Sequence, residues 1–276
     1  MRQDSPVLVL GATGKTGRRI AERLHDRGVA VRLGSRSARP AFDWTDQTSW
    51  APALDGVASV YVSYYPDIAI PGAPELIEAF AKQALAGGVR RLVLLSGRGE
   101  YEAQRSEEAL RASGADWTIV RCAWFAQNFS EGFLLEPILA GEVALPNGDV
   151  PEPFVDTEDI ADVATAALTE SGHEGQVYEL TGPRMLSFAD AVGEIGAATG
   201  RPISFVPVSM RDYAAVLDEA DLPEDVKWLV RYLFSEVLDG RNANLTDGVQ
   251  QALGRPATDF GDYVRRTAAT GVWHVA

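Results

Sequence analysis

The sequence has 276 residues, of which 46% are hydrophobic and 23% charged, and this is an ordinary globular composition. Such a length fits one or two domains with a large buried core, and 26 glycines and 15 prolines exclude collagen-like and broadly disordered chains. The formal net charge of -14 argues against a nucleic-acid partner, because contacts to the phosphate backbone need a basic face.

Signals for membranes, secretion and metals are missing from the sequence as well. No apolar run approaches the roughly 20 residues that span a bilayer, and the apolar stretch after Pro6 is too short for the core of a signal peptide. Cys122 is the single cysteine, which excludes an internal disulfide, and with three separated histidines it predicts no metal site. We therefore expect a cytoplasmic protein with no membrane contact.

Apolar runs of strand length alternate with helical patterns through the first part of the chain. The predicted strands lie at 7–10, 29–33, 41–42, 58–62, 91–96 and 117–121, and the predicted helices at 18–27, 47–54, 74–86 and 102–112. Because consecutive parallel strands need crossover helices, this alternation predicts right-handed βαβ units. The fold class is therefore α/β, with a Rossmann-type doubly wound parallel sheet.

The alternation changes after residue 121. Further segments are predicted as a helix at 124–139, an irregular stretch at 143–153, a helix at 157–168, a strand at 176–180, a helix at 187–199, a strand at 203–206 and a mostly helical remainder. We therefore predict a dinucleotide-binding core at residues 1–121. The remaining residues, 122–276, form a smaller and mostly helical substrate lobe, from which residues near 154–182 return to the core sheet.

A glycine-rich turn follows the first strand and opens the first helix, with the sequence Gly11-Ala-Thr-Gly-Lys-Thr-Gly17. Gly11 permits a tight turn, Gly14 lets the backbone approach a pyrophosphate, and Gly17 lets the helix pack against the strand. The helix N-terminus offers N–H groups and the positive end of its dipole to the anion. This context predicts dinucleotide binding.

The side chains of the same turn distinguish it from a nucleotide triphosphate loop. Thr13, Lys15 and Thr16 would add contacts to the bound dinucleotide. A Walker A loop would need a glycine where this chain has Val9, inside the strand, so that alternative fails.

The end of the second strand indicates which dinucleotide is preferred. A carboxylate there would bind the ribose 2′-OH of NAD, but this chain continues from Gly34 as Ser-Arg-Ser-Ala-Arg. Arg36 stands where a 2′-phosphate would lie, and its planar fork of donors suits phosphate. Ser35 and Arg39 are lesser candidates. We predict NADP(H), preferred over NAD(H).

The proton-donating pair of the conventional short-chain dehydrogenases is missing. That pair is a tyrosine followed four residues later by a lysine, and none of the three lysines has a tyrosine at that spacing. Tyr101, followed by Arg105, is the nearest substitute, and the alternative for Tyr101 is an exposed residue at a helix start. Cys122 is a second candidate, against the alternative of a buried small side chain.

Residues after the predicted strands should line a substrate pocket, because ligands bind at the carboxyl ends of parallel strands. Aromatic rings there would stack on a flat acceptor, and the alternative is ordinary core packing. Asp67 and Glu100 are acidic residues near the same edge and would favour a cationic substrate. The predicted pocket residues are Tyr64, Tyr65, Trp124, Phe125 and Asn128, and Ser96 is predicted to contact the cofactor.

At this point the chain resembles a known family over nearly its whole length. The glycine turn, the strand at 92–96 and segments 108–121, 124–129, 153–161 and 178–183 are similar to the NmrA-like branch of the atypical short-chain dehydrogenases/reductases. Segments 41–44 and 95–100 are similar to the subgroup that includes the ergot-alkaloid festuclavine/agroclavine dehydrogenases.

The resemblance implies a Rossmann core, NADP(H) as cofactor and a C-terminal lobe over the nicotinamide. The branch contains quinone reductases, iminium-type reductases, azo-dye reductases and redox-sensing regulators. Some members have a lysine after the fifth strand that contacts the nicotinamide ribose, and this chain has Gln104 and Arg105 in that neighbourhood.

The missing general acid suits particular acceptors. Hydride addition to an iminium ion gives a neutral amine directly, and a reduced quinone is a stabilised anion that solvent can protonate. The sequence therefore predicts an NADP(H)-dependent reductase of a small aromatic, quinone-like or iminium-like acceptor, working by orientation and exclusion of water. The alternative is a non-catalytic NADP(H)-sensing regulatory protein that binds a protein partner. A homo-oligomer is compatible with either hypothesis, the reductase or the sensor.

Overall fold

Short buried strands form the centre of the fold, which the computed structural model describes for residues 5–275. The runs Val7–Leu10 and Ser59–Val62 are buried throughout, as strands covered by helices on both faces require. The strands are β1 Val7–Leu10, β2 Val31–Gly34, β3 Ser59–Val62, β4 Arg91–Gly97, β5 Asp116–Cys122, β6 Glu142–Leu145, β7 Gln176–Leu180 and β8 Ser204–Pro207.

The helices follow the strands in the order that crossover connections require. They are α1 Lys15–Asp26, α2 Trp50–Leu54, α3 Ala73–Ala86, α4 Tyr101–Ala112, α5 Asn128–Glu131, α6 Leu135–Ala140, α7 Thr157–Thr169, α8 Phe188–Thr199, α9 Met210–Glu219, α10 Glu224–Tyr232, α11 Gly248–Leu253 and α12 Phe260–Ala268. A 3₁₀ turn, Gln47–Ser49, precedes α2, and a π-helical turn, Leu233–Val237, follows α10.

The main sheet has the order β2-β1-β3-β4-β5-β7, and every pairing in it is parallel. The direction of the crossovers reverses between β1 and β3, so this point is the topological switch point at which open α/β sheets bind ligands. The predicted doubly wound parallel sheet is confirmed. A second, two-stranded parallel sheet pairs β6 with β8.

The chain divides into two compact units. The first contains the described residues up to Cys122, with Thr157–Leu180 and Gly248–Arg255. The second contains Ala123–Asp156, Thr181–Asp247 and the described residues from Pro256 onwards.

Aromatic and aliphatic side chains fill the first unit on one side of the sheet. Phe42, Trp44, Trp50 and Phe80 form a buried cluster whose ring centroids are 5.2–6.3 Å apart. Ion pairs join helices α1 and α7, where Arg23 binds Glu158 at 2.6 Å and Asp162 at 2.5 Å.

The second unit has its own core. Phe129, Phe154, Phe188 and Phe260 pack with ring centroids 5.0–5.8 Å apart. The indole Nε1 of the buried Trp273 donates to the carbonyl oxygen of Phe129 at 2.9 Å.

Three predicted elements are wrong or misplaced. Residues 41–42 form no strand, because the Phe42 N–H donates to the Ser35 carbonyl at 2.9 Å and the segment folds back on the end of β2. The predicted helix at 124–139 consists of two short helices, α5 and α6, because Phe125 instead forms a β-bridge with Val155. The stretch predicted as irregular from residue 143 begins within strand β6.

Candidate functional site

The glycine turn between β1 and α1 has the geometry that its sequence predicts. Gly11 has a φ of +64°, in the left-handed region where glycine is favoured. A Cβ on Gly17 would lie 2.2 Å from the carbonyl oxygen of Gly11, so α1 approaches the turn more closely than any larger residue permits. The Gly14 N–H donates to the same oxygen at 2.8 Å and closes the turn.

The outer side of this turn is open to a ligand. Gly11, Thr13 and Gly14 are exposed, Lys15 is half-buried, and Gly14 precedes the first residue of α1. The hydroxyl of Thr16, which was predicted as a cofactor-binding residue, is buried and accepts a hydrogen bond from the Tyr61 hydroxyl at 2.9 Å. A pyrophosphate would therefore meet the backbone of the helix N-terminus together with Thr13 and Lys15.

The loop after β2 brings a predicted cofactor residue to a predicted substrate residue. The guanidinium of Arg36 lies 5.5 Å from the centroid of the Tyr65 ring, and both side chains are exposed. The Ser35 hydroxyl lies 3.3 Å from the hydroxyl of Ser37. The segment Ser35–Arg39 contains no carboxylate, so it offers hydroxyls and positive charge to a ligand.

Ser96, near the end of β4, belongs to a buried network of charges. Its hydroxyl donates to Oε1 of Glu107 on α4 at 2.7 Å, and both residues are buried. Arg121 on β5 donates to the two carboxylate oxygens of Glu107 at 2.8 Å and 2.5 Å. The hydrogen bonds to Glu107 raise the pKa of Arg121 above its usual value. The hydroxyl of Ser96 is thereby held towards α4.

The same network continues to β7. Arg121 also donates to Glu179 at 3.1 Å, and Glu179 accepts from the Nε of the buried Arg98 at 2.7 Å. Because a buried charge is costly unless it is paired, these ion pairs couple β4, β5 and β7 at their carboxyl ends.

Two further carboxyl groups lie near the same edge of the sheet. Asp67 lies in the loop after β3, and Glu100 lies in the short loop between β4 and α4. Burial raises the pKa of Glu100 well above its usual range, and the charges of Asp67 and Glu107 raise it further. Burial also raises the pKa of Asp67, against the opposing hydrogen bond that it accepts from the Ala69 N–H. The pKa of Glu100 is raised further than that of Asp67, so Glu100 holds a proton more strongly than Asp67 does.

The two side chains predicted as catalytic candidates have different surroundings. Tyr101 is 66% exposed at the start of α4, with the Arg105 guanidinium 6.0 Å from its ring centroid. Cys122 is buried, and burial raises the pKa of its thiol well above the usual range. A reactive cysteine needs a stabilised thiolate, so this environment is unfavourable for nucleophilic chemistry.

The predicted pocket residues of the first unit follow β3. The Tyr64 ring is half-buried against Trp44, with centroids 5.0 Å apart, and burial raises the pKa of Tyr64 above its usual value. Tyr65 is exposed and carries Arg36 on its ring. Tyr64 therefore packs on the core, and Tyr65 is the more available of the two rings.

The predicted pocket residues of the second unit are partly buried. Trp124 packs against Phe188 and Phe234, with both centroid distances 5.3 Å. The N–H of Asn128 at the start of α5 donates to the carbonyl of Phe125 at 3.0 Å. The partly buried Trp124 ring thus packs against the core of that unit, and its place in a substrate pocket stays a prediction.

Sequence inspection did not find Glu107. It lies on the buried face of α4 with Ala103, Ser106 and Leu110, where periodicity predicts apolar residues. The signal available was a glutamate at a core position of a helix, which requires a buried cationic partner.

Comparison with known proteins agrees with this geometry. Residues 11–171, more than half of the chain, match a family model described as NAD(P)H-binding. A Streptomyces griseus protein, (4-alkanoyl-5-oxo-2,5-dihydrofuran-3-yl)methyl phosphate reductase, is 32% identical, over 93% of this chain and 96% of its own. Festuclavine dehydrogenase of Aspergillus fumigatus is 28% identical, over 97% of this chain and 99% of its own.

A solved structure has the same fold. The Escherichia coli NADPH-dependent quinone oxidoreductase, complexed with NADPH, aligns with a TM-score of 0.74 and 21% identity. The alignment covers 94% of this chain and 99% of that one. Among the helices of residues 5–275, none is both long and apolar enough to cross a membrane.

Proposed function

Because this chain belongs to the NAD(P)H-binding family, as an NmrA-like atypical short-chain dehydrogenase/reductase and an oxidoreductase, we propose that it transfers hydride from NADPH to a small aromatic, quinone-like or iminium-like acceptor. The observation that carries the proposal is the turn between β1 and α1. In this turn Gly17 lies close to the backbone of Gly11. Gly11, Thr13 and Gly14 are exposed beside the N-terminus of α1. These are the features that a pyrophosphate needs.

The residues around the turn fit NADP(H). The backbone of α1 at Lys15 and the exposed Gly14 would hold the pyrophosphate, and Arg36 would pair with a 2′-phosphate through its fork of donors. When bound, the nicotinamide supplies the hydride. The preference for NADP(H) rests on Arg36 and on the absence of a carboxylate in the segment Ser35–Arg39.

The acceptor class is supported by chemistry and by relatives. The Cys122 thiol is buried and Tyr101 is exposed, so neither resembles the tuned proton donor that ketone reduction needs. Acceptors whose reduction gives a neutral product or a stabilised anion depend less on a side-chain proton donor. Relatives named as clavine dehydrogenase and as quinone oxidoreductase are consistent with that choice.

The test is NADPH consumption with a panel of acceptors. Purified protein is mixed with NADPH or NADH and with quinones, an azo dye or a preformed cyclic iminium ion. Turnover with NADPH and at least one acceptor class supports the proposal. Tight NADPH binding without turnover of any acceptor overturns it and favours the alternative of an NADP(H) sensor that binds a protein partner.

A further inference from the structure

Glu100 lies at the edge of the main sheet where the carboxyl ends of neighbouring strands meet. Strands β3, β4 and β5 are neighbours and parallel, so their carboxyl ends lie along one edge of the sheet. Asp67 follows β3, Glu100 follows β4, and Cys122 is the last residue of β5. Parallel sheets bind ligands at this edge.

The Glu100 carboxyl lies directly against the backbone of Gly97. A Cβ on Gly97 would be 2.2 Å from Oε2 of Glu100, so the carboxyl fills the space of the missing side chain. Oε2 is shielded from solvent and has no hydrogen-bond partner among residues 5–275. Glu100 is also the residue before α4, yet within the described chain its side chain makes no capping hydrogen bond.

The charges around Glu100 disfavour its ionised form. The carboxyl groups of Asp67 and Glu107 face it from the loop after β3 and from α4, and the Cys122 thiol at the end of β5 is uncharged. The nearby arginines have other partners: Arg121 and Arg111 bind Glu107, and Arg98 binds Glu179. A buried carboxyl beside like charges retains its proton to a higher pH than an exposed one.

We propose that Glu100 is the proton donor of the reductase proposed above, serving acceptors whose reduction would otherwise leave a strong base. The inference rests on that proposed function and extends it to azo and α,β-unsaturated carbonyl acceptors. The residue as a whole remains partly exposed, which gives its proton a route to the edge of the sheet. An acid kept neutral near pH 7 is suited to this task.

The step balances in atoms and electrons. Hydride from NADPH brings two electrons to one atom of the N=N or C=C bond, whose π pair moves to the other atom or, in an enone, to the carbonyl oxygen. The O–H bond of Glu100 breaks and its proton neutralises that pair. The Glu100 carboxylate then regains a proton from water. A permanent iminium ion takes the hydride at carbon and needs no proton.

The test compares two kinds of acceptor in one variant. Glu100→Gln keeps the shape of the side chain and removes the acidic proton. It is expected to lower kcat by about 100-fold with methyl red or cyclohexenone, and to leave kcat with N-methyldihydroisoquinolinium within about twofold. Glu108→Gln, at an exposed glutamate within α4, is the matched control and should change neither rate. The NADPH dissociation constant should be the same in all three proteins.

A second variant tests the same idea through pH. Asp67→Asn removes a negative charge that holds the proton on Glu100, so the loss of activity at high pH should begin at lower pH with the azo dye. The iminium reaction should keep its pH profile. If Glu100 has only a structural role, Asp67→Asn should not shift the pH profile of the azo-dye reaction without shifting that of the iminium reaction.

The outcomes separate this inference from the proposed function. Equal loss with both acceptor types in Glu100→Gln, or no loss with either, overturns the proton-donor role. A wild-type protein that reduces the iminium but neither proton-requiring acceptor overturns this inference and leaves the proposed function standing. A wild-type protein that reduces nothing overturns both.

Discussion

The guanidinium of Arg36 lies over the ring of Tyr65, 5.5 Å from its centroid. One of these residues was predicted to bind the cofactor and the other the substrate. A cation held against an exposed ring is partly ordered before a ligand arrives, which lowers the entropy lost when the ligand binds. Tyr65 would therefore support Arg36 in the proposed recognition of a 2′-phosphate.

Replacing Arg36 is expected to reduce the preference for NADPH. Arg36→Ala should weaken NADPH binding by about tenfold, corresponding to about 1.4 kcal/mol, and leave NADH binding almost unchanged. The measurement is titration of protein with each dinucleotide, followed by fluorescence. Arg211→Ala, which removes a side chain that is 93% exposed, controls for the change in net charge. Equal weakening of NADPH and NADH would contradict the assignment.

Replacing Tyr65 should have a smaller effect in the same direction. Tyr65→Leu keeps the charge of Arg36 but removes the ring beneath it, and exposed cation–π contacts contribute about 0.5–1 kcal/mol. We expect NADPH binding to weaken by about two- to fivefold. The double variant with Arg36→Ala should be no weaker than Arg36→Ala alone, and additive losses would show that the ring does not act through Arg36.

Replacing Gly17 should disrupt the turn itself. A Cβ at this position would lie 2.2 Å from the Gly11 carbonyl oxygen, so Gly17→Ala must displace α1 or the turn. We expect a loss of about 1–3 kcal/mol in the free energy of unfolding and loss of dinucleotide binding. Urea unfolding and NADPH titration measure the two effects.

Gly193 offers the matched control. It lies in α8, is exposed, and an added Cβ would meet nothing within 4 Å. Gly193→Ala should raise the free energy of unfolding by about 1 kcal/mol, because alanine is the better helix former. Destabilisation by both substitutions, or normal NADPH binding by Gly17→Ala, would argue against the role of the turn.

The sequence predicted the turn and the sheet because both depend on local patterns. Gly11, Gly14 and Gly17 follow a short apolar run, and each glycine has a local steric reason. The strand predicted at 41–42 failed because Phe42 is buried among other aromatic rings, and a buried aromatic residue in a loop looks like a strand residue. The helix at 124–139 failed for a related reason, since apolar spacing does not reveal where the backbone turns.

The charged groups at the edge of the sheet could not be predicted from the sequence, for a different reason. Glu107 and Arg121 are 14 positions apart and meet only after α4 packs against the sheet. Asp67 and Glu100 were predicted to attract a cation as charged groups. Their protonation depends on burial, which no local sequence pattern reports.

Removing one partner from the buried network should be costly. Glu107→Ala leaves Arg121 with a half-buried and incompletely paired charge, and we expect a loss of up to about 3–5 kcal/mol in the free energy of unfolding. Glu179→Ala should also be costly, because it removes the carboxylate that pairs with the buried Arg98, although Arg121 keeps its hydrogen bonds to Glu107. Urea unfolding of both variants measures the two losses, and a loss below about 1 kcal/mol in either variant would contradict the account of the network.

The stability of Glu100→Gln should depend on pH in a particular direction. In the folded chain Glu100 keeps its proton above its usual pKa, so the folded state binds more protons than the unfolded state over that window. The free energy of unfolding of the wild type therefore falls as pH rises, and glutamine removes this dependence. The stability of the variant relative to the wild type should rise as the pH increases above the usual pKa of a glutamate, by at most about 1.4 kcal/mol per pH unit.

Asp259 gives a contrast of opposite sign. Its hydrogen bonds with Arg184 lower the pKa of Asp259, so its stabilising effect is present above its usual pKa and is lost as the pH falls. The stability of Asp259→Asn relative to the wild type should therefore decrease as pH rises through the acid range.

The outcome for Glu100→Gln has a clear contradiction. If the difference in free energy of unfolding between this variant and the wild type does not depend on pH, Glu100 ionises in the folded protein as it does in the unfolded chain.

The most direct test of the central claim is the rate of NADPH oxidation with a preformed cyclic iminium ion and a quinone, measured beside the same reactions with NADH. The account predicts turnover of at least one acceptor with NADPH and a much lower rate with NADH, and Arg36→Ala should reduce the difference. Tight NADPH binding with no oxidation by any acceptor would contradict a reductase.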